Sequence, residues 1–455
     1  MNIAKSLILG SAATLVALGG AQAADLPLKA KAVEYVKVCS LYGAGFYYIP
    51  GTDTCIKLGG YVMADTTFNG AGAYDMPRWT GNPTRYSNDY ISRSRLNTTI
   101  DTRTATEYGV VRTFASLVYS FTTDTSSRAG GELGVYYAFI QFAGFTFGKA
   151  VSQFDMPWSG YPGNQTSFLL GGYDDVTGVN QIAYTAQFGN GVSASISLED
   201  SSGLNNRSTA ISSYTRAPLW DLGAGGLTLA GGTNNWAGAQ VPDIIGQLRV
   251  DQAWGLFQLS AAAHQLRVGE PIVSAVPSDA WGFAVQAGLS LKNLPTGAGD
   301  SINVSAGYSN GASRYIIGGV SPDSYAIGNS SVLAVGFSSD GAYGPGFGIQ
   351  KTEAWGVRGA FNHNWDPYWS SSLFGSYSGL RYNNTVKNFI GFNPDWEISQ
   401  IGVVTRWTPV KNLTLSGEAM YTYLTQHNTG ALLPNGAIAG DRGTWSFSVR
   451  ARRDF

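Results

Sequence analysis

Charge is scarce in this chain. Of 455 residues only 13% are Asp, Glu, Lys or Arg, about half the roughly 25% usual for soluble domains. Histidine is limited to three residues and cysteine to two. His264, His363 and His427 are too dispersed to form a Ser-His-Asp set recognisable from sequence. Neither a G-x-S-x-G elbow nor a phosphate-binding P-loop occurs. Two cysteines with so few histidines make a poor zinc site, so neither metal nor cofactor is expected. Long apolar runs are also missing. Beyond the N-terminus no stretch approaches the roughly 18 consecutive apolar residues that a membrane helix needs. With 29 basic and 30 acidic residues the net charge is −1, which argues against nucleic acid as a partner.

The N-terminus carries an export pattern. Lys5 is followed by the apolar run Leu7 to Leu18, then by Ala21-Gln22-Ala23 and Ala24. A basic start, a short apolar segment and a small-x-small site read as a secretory signal peptide over 1–23, with 24–455 exported. A buried N-terminal helix is the alternative. Export also bears on Cys39 and Cys55, which lie 16 positions apart. A disulfide is expected there, and closing that loop would add roughly 3 kcal/mol; two free thiols are the other reading.

Glycine is abundant at 59 residues, aromatics reach 13%, and mean hydropathy is −0.05. Low charge without an apolar helix fits a closed membrane β-barrel, in which every second residue faces lipid and the others face water. The last twelve residues carry the clearest alternation. Trp445, Phe447, Val449, Ala451, Arg453 and Phe455 share one face, while Ser446, Ser448, Arg450, Arg452 and Asp454 share the other. Such alternation marks a strand with two unlike faces. Arg453, beside the chain end, can snorkel to the head groups. Phe455 is expected on the lipid side, where the last strand closes against the first and leaves no unpaired edge in lipid.

A hairpin recurs after 42 residues. Trp365-Asp-Pro-Tyr-Trp leads into the alternating run 370–377, and Trp407-Thr-Pro-Val-Lys leads into 412–419. Proline suits the turn because it lacks an N–H for a central ladder, and the Trp sits where a girdle aromatic belongs. A propeller blade could repeat at this period, but a blade holds four short strands and each unit here holds two with a long polar loop. The pattern predicts an all-β, 16-stranded antiparallel barrel. Its strands fall near 56–65, 90–103, 110–121, 132–142, 145–151, 179–188, 192–200, 227–235, 255–267, 280–291, 301–309, 354–364, 370–380, 396–407, 413–426 and 443–455. Residues 242–250 compete with 227–235 for the eighth strand. Residues 310–353 read as one long loop. Short turns (104–109, 143–144, 189–191, 408–412) alternate with long stretches (66–89, 152–178, 381–395, 427–442), as expected of short periplasmic turns and long outer loops.

Residues 33–62, VEYVKVCSLYGAGFYYIPGTDTCIKLGGYV, resemble the opening of mature alphaproteobacterial general porins. The matching elements fall at Val33–Val36, Cys39, Tyr42–Gly45, Ile49–Thr52, Cys55 and Gly60–Val62. FTFGKAVSQFD at 145–155, PDIIG at 242–246 and the strand ending in Phe455 match more loosely. The resemblance implies an outer-membrane homotrimer of 16-stranded barrels with the third loop folded into the pore. It also implies passive passage of small hydrophilic solutes across the Gram-negative outer membrane.

A pore needs an electrostatic lining rather than a catalytic group. In the second strand Arg93, Arg95, Asn97, Thr99, Asp101 and Arg103 share one face. An arginine at mid-membrane on the lipid side would cost about 2–4 kcal/mol, so that face must look inward. Arg112 on the next strand is expected to join Arg93 and Arg95 in a basic wall; scattered solvated charges are the alternative. The stretch 152–178 is the candidate constriction loop, with Asp155, Asp174 and Asp175 facing the arginines across the waist; an ordinary surface loop is the alternative. Three rival readings stand beside this one. They are a sugar-selective channel lined by aromatics such as Trp158, Tyr161 and Tyr173, a barrel enzyme, and a secreted soluble β-protein with a binding role.

Overall fold

Alternating faces generate sixteen long strands, each hydrogen-bonded to the next in sequence. The structure, a computed structural model, describes residues 37–69, 88–123, 130–166, 169–173, 177–201, 216–223, 233–269, 276–317, 324–329, 331–433 and 436–455. The expected signal peptide 1–23 lies outside these residues. The barrel strands are β1 (Thr54–Phe68), β2 (Tyr90–Thr106), β3 (Gly109–Thr122), β4 (Glu132–Phe142), β5 (Phe145–Ala150), β6 (Val179–Gly189), β7 (Val192–Glu199) and β8 (Asp243–Gln252). They continue with β9 (Gly255–Leu266), β10 (Ala280–Lys292), β11 (Ser301–Asn310), β12 (Glu353–Asn364), β13 (Trp369–Arg381), β14 (Trp396–Val410), β15 (Leu413–Gln426) and β16 (Arg442–Asp454).

All pairings between these barrel strands are antiparallel, and β16 returns to β1 from Tyr61↔Asp454 to Phe68↔Phe447. Closure continues one residue further: Phe455 N–H donates to Gly60 O at 3.1 Å, and Gly60 N–H donates to Phe455 O at 3.2 Å. Gly60 has φ +153°, and a Cβ there would stand 2.0 Å from the Asn97 carbonyl oxygen. Only glycine permits this close approach. Fifteen of the sixteen expected strands lie where the alternation put them, within about three residues at each end. The exception is the eighth. The strand that pairs with both β7 and β9 is Asp243–Gln252, so 227–235 is not the eighth strand. The competing run at 242–250 is.

The outward face is an apolar belt: Leu58, Leu96, Ile140, Ile182, Ile196, Leu248, Leu373 and Ile401 are all exposed. In water such a belt would be an aggregation surface; against acyl chains it is the solvated face. At the short-turn end Trp369 stacks on Trp407, ring centroids 5.7 Å apart, beside exposed Trp365 and Tyr368. These are the aromatics that the repeated hairpin placed at the lipid–water boundary. Cys39 and Cys55 form a disulfide. Both are buried with Phe46, Tyr42 and Tyr48 in a small core of their own.

Residues 310–353 are not one loop. They contain a short helix (Arg314–Ile317) and strands Ser324–Gly328, Val332–Phe337, Gly341–Gly344 and Phe347–Lys351. The reason lies in the barrel wall. Several inward positions on β8–β15 are apolar: Ile245, Ala262, Ala284, Leu380, Trp396, Ile398 and Leu424. Water would be a poor partner for them, and Tyr315, Ile316, Ile317, Tyr325, Ile327 and Phe337 cover them as a single core. Polar clasps orient the insert. Asp243 on β8 accepts hydrogen bonds from the Tyr315 hydroxyl at 2.6 Å and pairs with His264 Nδ1 at 2.7 Å. Asp340 accepts the backbone N–H groups of Ser313 and Ala217 at 2.6 and 2.8 Å.

Candidate functional site

With one side of the lumen filled, the described cavity lies against β1–β4 and β14–β16. It measures about 730 Å³ and is lined by Arg93, Arg95, Arg406, Arg450 and Arg452, together with Asn97, Tyr136, Tyr137 and Asn164. Register explains why five arginines meet there. Asp65 on β1 stands opposite both Arg93 on β2 and Arg450 on β16, and Ser416 stands opposite both Arg450 and Arg406. Arg406, Ser416, Arg450, Asp65 and Arg93 therefore form one rung across five strands. Two residues along, Thr414, Arg452, Met63 and Arg95 form a second rung. Arginines within a rung are two strands apart, about 10 Å at the usual strand spacing.

Their charges are unequally compensated. Asp65 accepts both Nε and Nη2 of Arg93, at 3.2 and 2.9 Å, and also Arg450 Nε at 2.9 Å. That side chain is fully enclosed. Arg452 pairs with Asp454 at 2.7 Å. Arg95 donates Nε to the Ser120 hydroxyl at 2.9 Å and stands over the Tyr136 ring at 5.6 Å. Tyr136 and Tyr137 both line the cavity because the β3–β4 ladder slips between Ser116 and Leu117. The bulge turns two consecutive side chains to one face.

The loop after β5 runs inside the barrel. Ser152 Oγ and Gln153 N–H donate to Glu199 on β7 at 2.6 and 2.8 Å. Gln258 on β9 donates to Asp155 O at 2.7 Å, and Asn303 on β11 donates to Pro162 O at 2.7 Å. At the apex Gln165 and Thr166 N–H donate to Glu418 on β15, at 2.5 and 3.2 Å, while Arg450 Nη1 holds Gln165 O at 2.9 Å. The return is held by Arg358 on β12, which donates to Leu169 O at 3.1 Å and to Tyr173 O. These partners all sit on inward positions of β7, β9, β11, β12, β15 and β16, so the segment crosses the lumen rather than the outer surface.

The expected site residues divide. Arg93 and Arg95 meet in the cavity. Arg112 does not join them: it stands opposite Arg103, eight residues along β2 from Arg95 and so about 27 Å away at 3.4 Å per residue. There both guanidiniums bind Asp101, each at 3.0 Å, and Arg103 also covers the Phe46 ring at 4.9 Å. Arg103 thereby holds the N-terminal segment, while Arg112 stays on the barrel wall, where it also donates to Gln141 at 3.0 Å. Asp155 is buried, its carboxylate accepts the Met156 N–H at 2.8 Å, and it is not among the side chains lining the cavity. Asp174 and Asp175 lie outside the described residues. Sequence reading missed Arg406, Arg450 and Arg452 as lining. Alternation already put Arg450 and Arg452 on the polar face of the last strand, but no local pattern fixed their height.

The family model of the Porin subfamily matches residues 25–447. The chain belongs to that subfamily. This porin is a general diffusion channel of the Gram-negative outer membrane. It is similar to porin Omp2b of Brucella suis biovar 1 (strain 1330), with 37% identity over 257 residues that cover 54% of this chain and 67% of the relative. Porin Omp2b of Brucella abortus (strain 2308) shows the same identity and coverage. Among solved structures, the outer membrane channel DcaP of Acinetobacter baumannii matches with a TM-score of 0.63 and 14% identity, over 90% of this chain and 99% of that one. That likeness speaks to the fold alone.

Proposed function

We propose that this porin passes small hydrophilic solutes through an eccentric, basic constriction, and that it favours anions over cations. The observation that carries the reading is the pair of arginine rungs. Five guanidiniums face the cavity, against the carboxylates of Asp65 and Asp454. The loop from residue 152 onward forms the opposite lip, held by Glu199 and Glu418. Reversal potentials across a salt gradient in a planar bilayer test this directly, and the expected sign is that of an anion-preferring pore. A potential near zero would instead support the balanced eyelet expected from sequence, with Asp174 and Asp175 as counter-charges. A cation preference would refute the reading.

We read the protein as a channel and not an enzyme. Each histidine faces a carboxylate in a structural role: His264 with Asp243, His363 with Asp300, His427 with Glu397. We also assign a homotrimer. On the barrel exterior, a groove of about 700 Å³ beside the β16–β1 seam sets small or polar residues (Ala64, Thr66, Ser92, Ser94, Thr405, Gly417) beside Trp369, Trp407, Leu415 and Val449, a recess that a neighbouring barrel can fill. Oligomer size in detergent, by light scattering, checks the assignment; a monomer would contradict it.

A further inference from the structure

We propose that the two arginine rungs form a saturable binding site for small multivalent oxyanions, of the di- or tricarboxylate and phosphate class. This rests on the reading of the lumen as a basic constriction and adds a bound state to it. Within the second rung Arg95 and Arg452 flank Met63, which offers no counter-charge. Arg95 donates to Ser120 through Nε, and among the described residues its terminal nitrogens meet no acceptor. A planar guanidinium binds a carboxylate or phosphate through paired N–H donors, and such charge-assisted bonds are about twice as strong as neutral ones.

Spacing selects for valence. Chloride can meet one guanidinium at a time, whereas an anion with two or three charged groups bridges cations about 10 Å apart along a rung. Arg450 supplies a third cation one level away, and the amide side chains of Asn164 and Gln165 approach from the loop. Tyr136, Tyr137, Phe114 and Tyr161 complete the wall, so an organic backbone between the anionic groups meets ring faces rather than bulk water. The bulge that turns Tyr136 inward also sets its ring under Arg95, which restrains that guanidinium in the lumen. A restrained donor loses less freedom on binding.

The test is single-channel recording of the intact porin in constant potassium chloride, with citrate titrated into one chamber. The expected result is discrete current blockades whose frequency saturates with citrate, while sucrose at equal osmolarity gives none. Replacing citrate by inorganic phosphate decides which oxyanion is held longer. R95Q/R452Q should shorten the blockades about tenfold or more, the worth of at least one charge-assisted hydrogen bond. R95K/R452K keeps both charges but loses the forked donors, so its blockades should fall between. Unsaturable citrate flux, or equal blockades in both variants, overturns the site. If that occurs in a pore that still prefers anions, the selectivity reading stands and only the binding site falls.

Discussion

Removing Arg95, Arg406 and Arg452 together should abolish the anion preference of this channel. The size of the change can be worked from the rungs. Five guanidiniums face Asp65 and Asp454, and Glu418, buried under the loop apex, offsets part of a third charge. Among the described residues two to three positive charges are left unbalanced. A unit charge about 6 Å from a passing ion contributes about 0.7 kcal/mol in water, and a Debye length of roughly 8 Å at physiological salt cuts this to about 0.3 kcal/mol. Two such charges favour chloride about threefold and disfavour potassium about threefold, a permeability ratio of about 10. At 1 M salt the Debye length is about 3 Å and the same sum gives a ratio near 2. Wild type should therefore lose selectivity steeply with salt, whereas R95Q/R406Q/R452Q should stay near unity throughout. Arg93 is left intact because its removal would strand the enclosed Asp65 carboxylate. Reversal potentials at several salt concentrations read both effects. If the triple variant keeps the wild-type potential, the rungs do not line the path of the ions, and the constriction has been misplaced.

Three further outcomes are expected. Replacing Cys39 and Cys55 by serine should remove the roughly 3 kcal/mol that a closed loop of this size contributes in the chain-entropy account. Proteolysis should then cut the N-terminal segment while the barrel survives, and an uncut segment would contradict this. Asp300, in the turn before β11, accepts hydrogen bonds from the Thr296 hydroxyl at 2.7 Å and the Asn364 N–H at 2.9 Å, and it also meets His363. These partners hold its carboxyl down to about 2. Its contribution to folding is present above pH 3.8 and lost as pH falls through about 2, so D300N should melt below wild type at pH 6 and match it near pH 2. Finally, G60A should impair assembly as much as deletion of Phe455, because the added methyl strikes the Asn97 carbonyl at the seam where both residues close the barrel. Deleting a residue from the 427–442 loop is the control, and equal assembly of all three variants would count against the closure argument.

Much of the barrel was legible because a strand with unlike faces writes its period directly into the sequence. Trp445 to Phe455 alternates, and the structure exposes Trp445, Phe447 and Val449 while burying Ser446 and Ser448. The signal weakens where an inward position is apolar. Asp243–Gln252 carries Ile244 outward and Ile245 inward, because Ile245 meets the insert and not water. That adjacent pair blurs an alternation whose other inward positions, Asp243, Gln247, Arg249 and Asp251, are polar, so the run competed with 227–235. The insert itself was unreadable for a related reason. Residues 310–353 are rich in Gly, Ser and Asn and look like a surface loop, yet Tyr315, Ile316 and Ile317 are fully buried. Their partners are inward positions on strands far away in sequence.

The candidate site exposes a different limit. Alternation gives the face of an arginine but not its height, and height is what brings charges together. Arg93, Arg95 and Arg112 share a face, yet pairing Arg103 with Arg112 sends the last of them to the short-turn end. Height follows from register, and register accumulates around the barrel from one turn to the next. Short hairpins make it predictable locally: positive φ at both Ala143 and Gly144 fits a tight two-residue turn, and Phe142 pairs with Phe145. The seam between β16 and β1 has no such turn. Its register depends on the shear of the whole barrel, so Arg450 and Arg452 could be assigned an inward face but no neighbours. The rungs exist because that seam sets Asp65 opposite Arg450 and Met63 opposite Arg452. A slip of two residues there would keep every arginine facing inward and still part Arg450 from the carboxylate that it shares with Arg93. The arrangement of these charges is therefore fixed by closure: the pairing that removes the last open edge also decides which charges face one another.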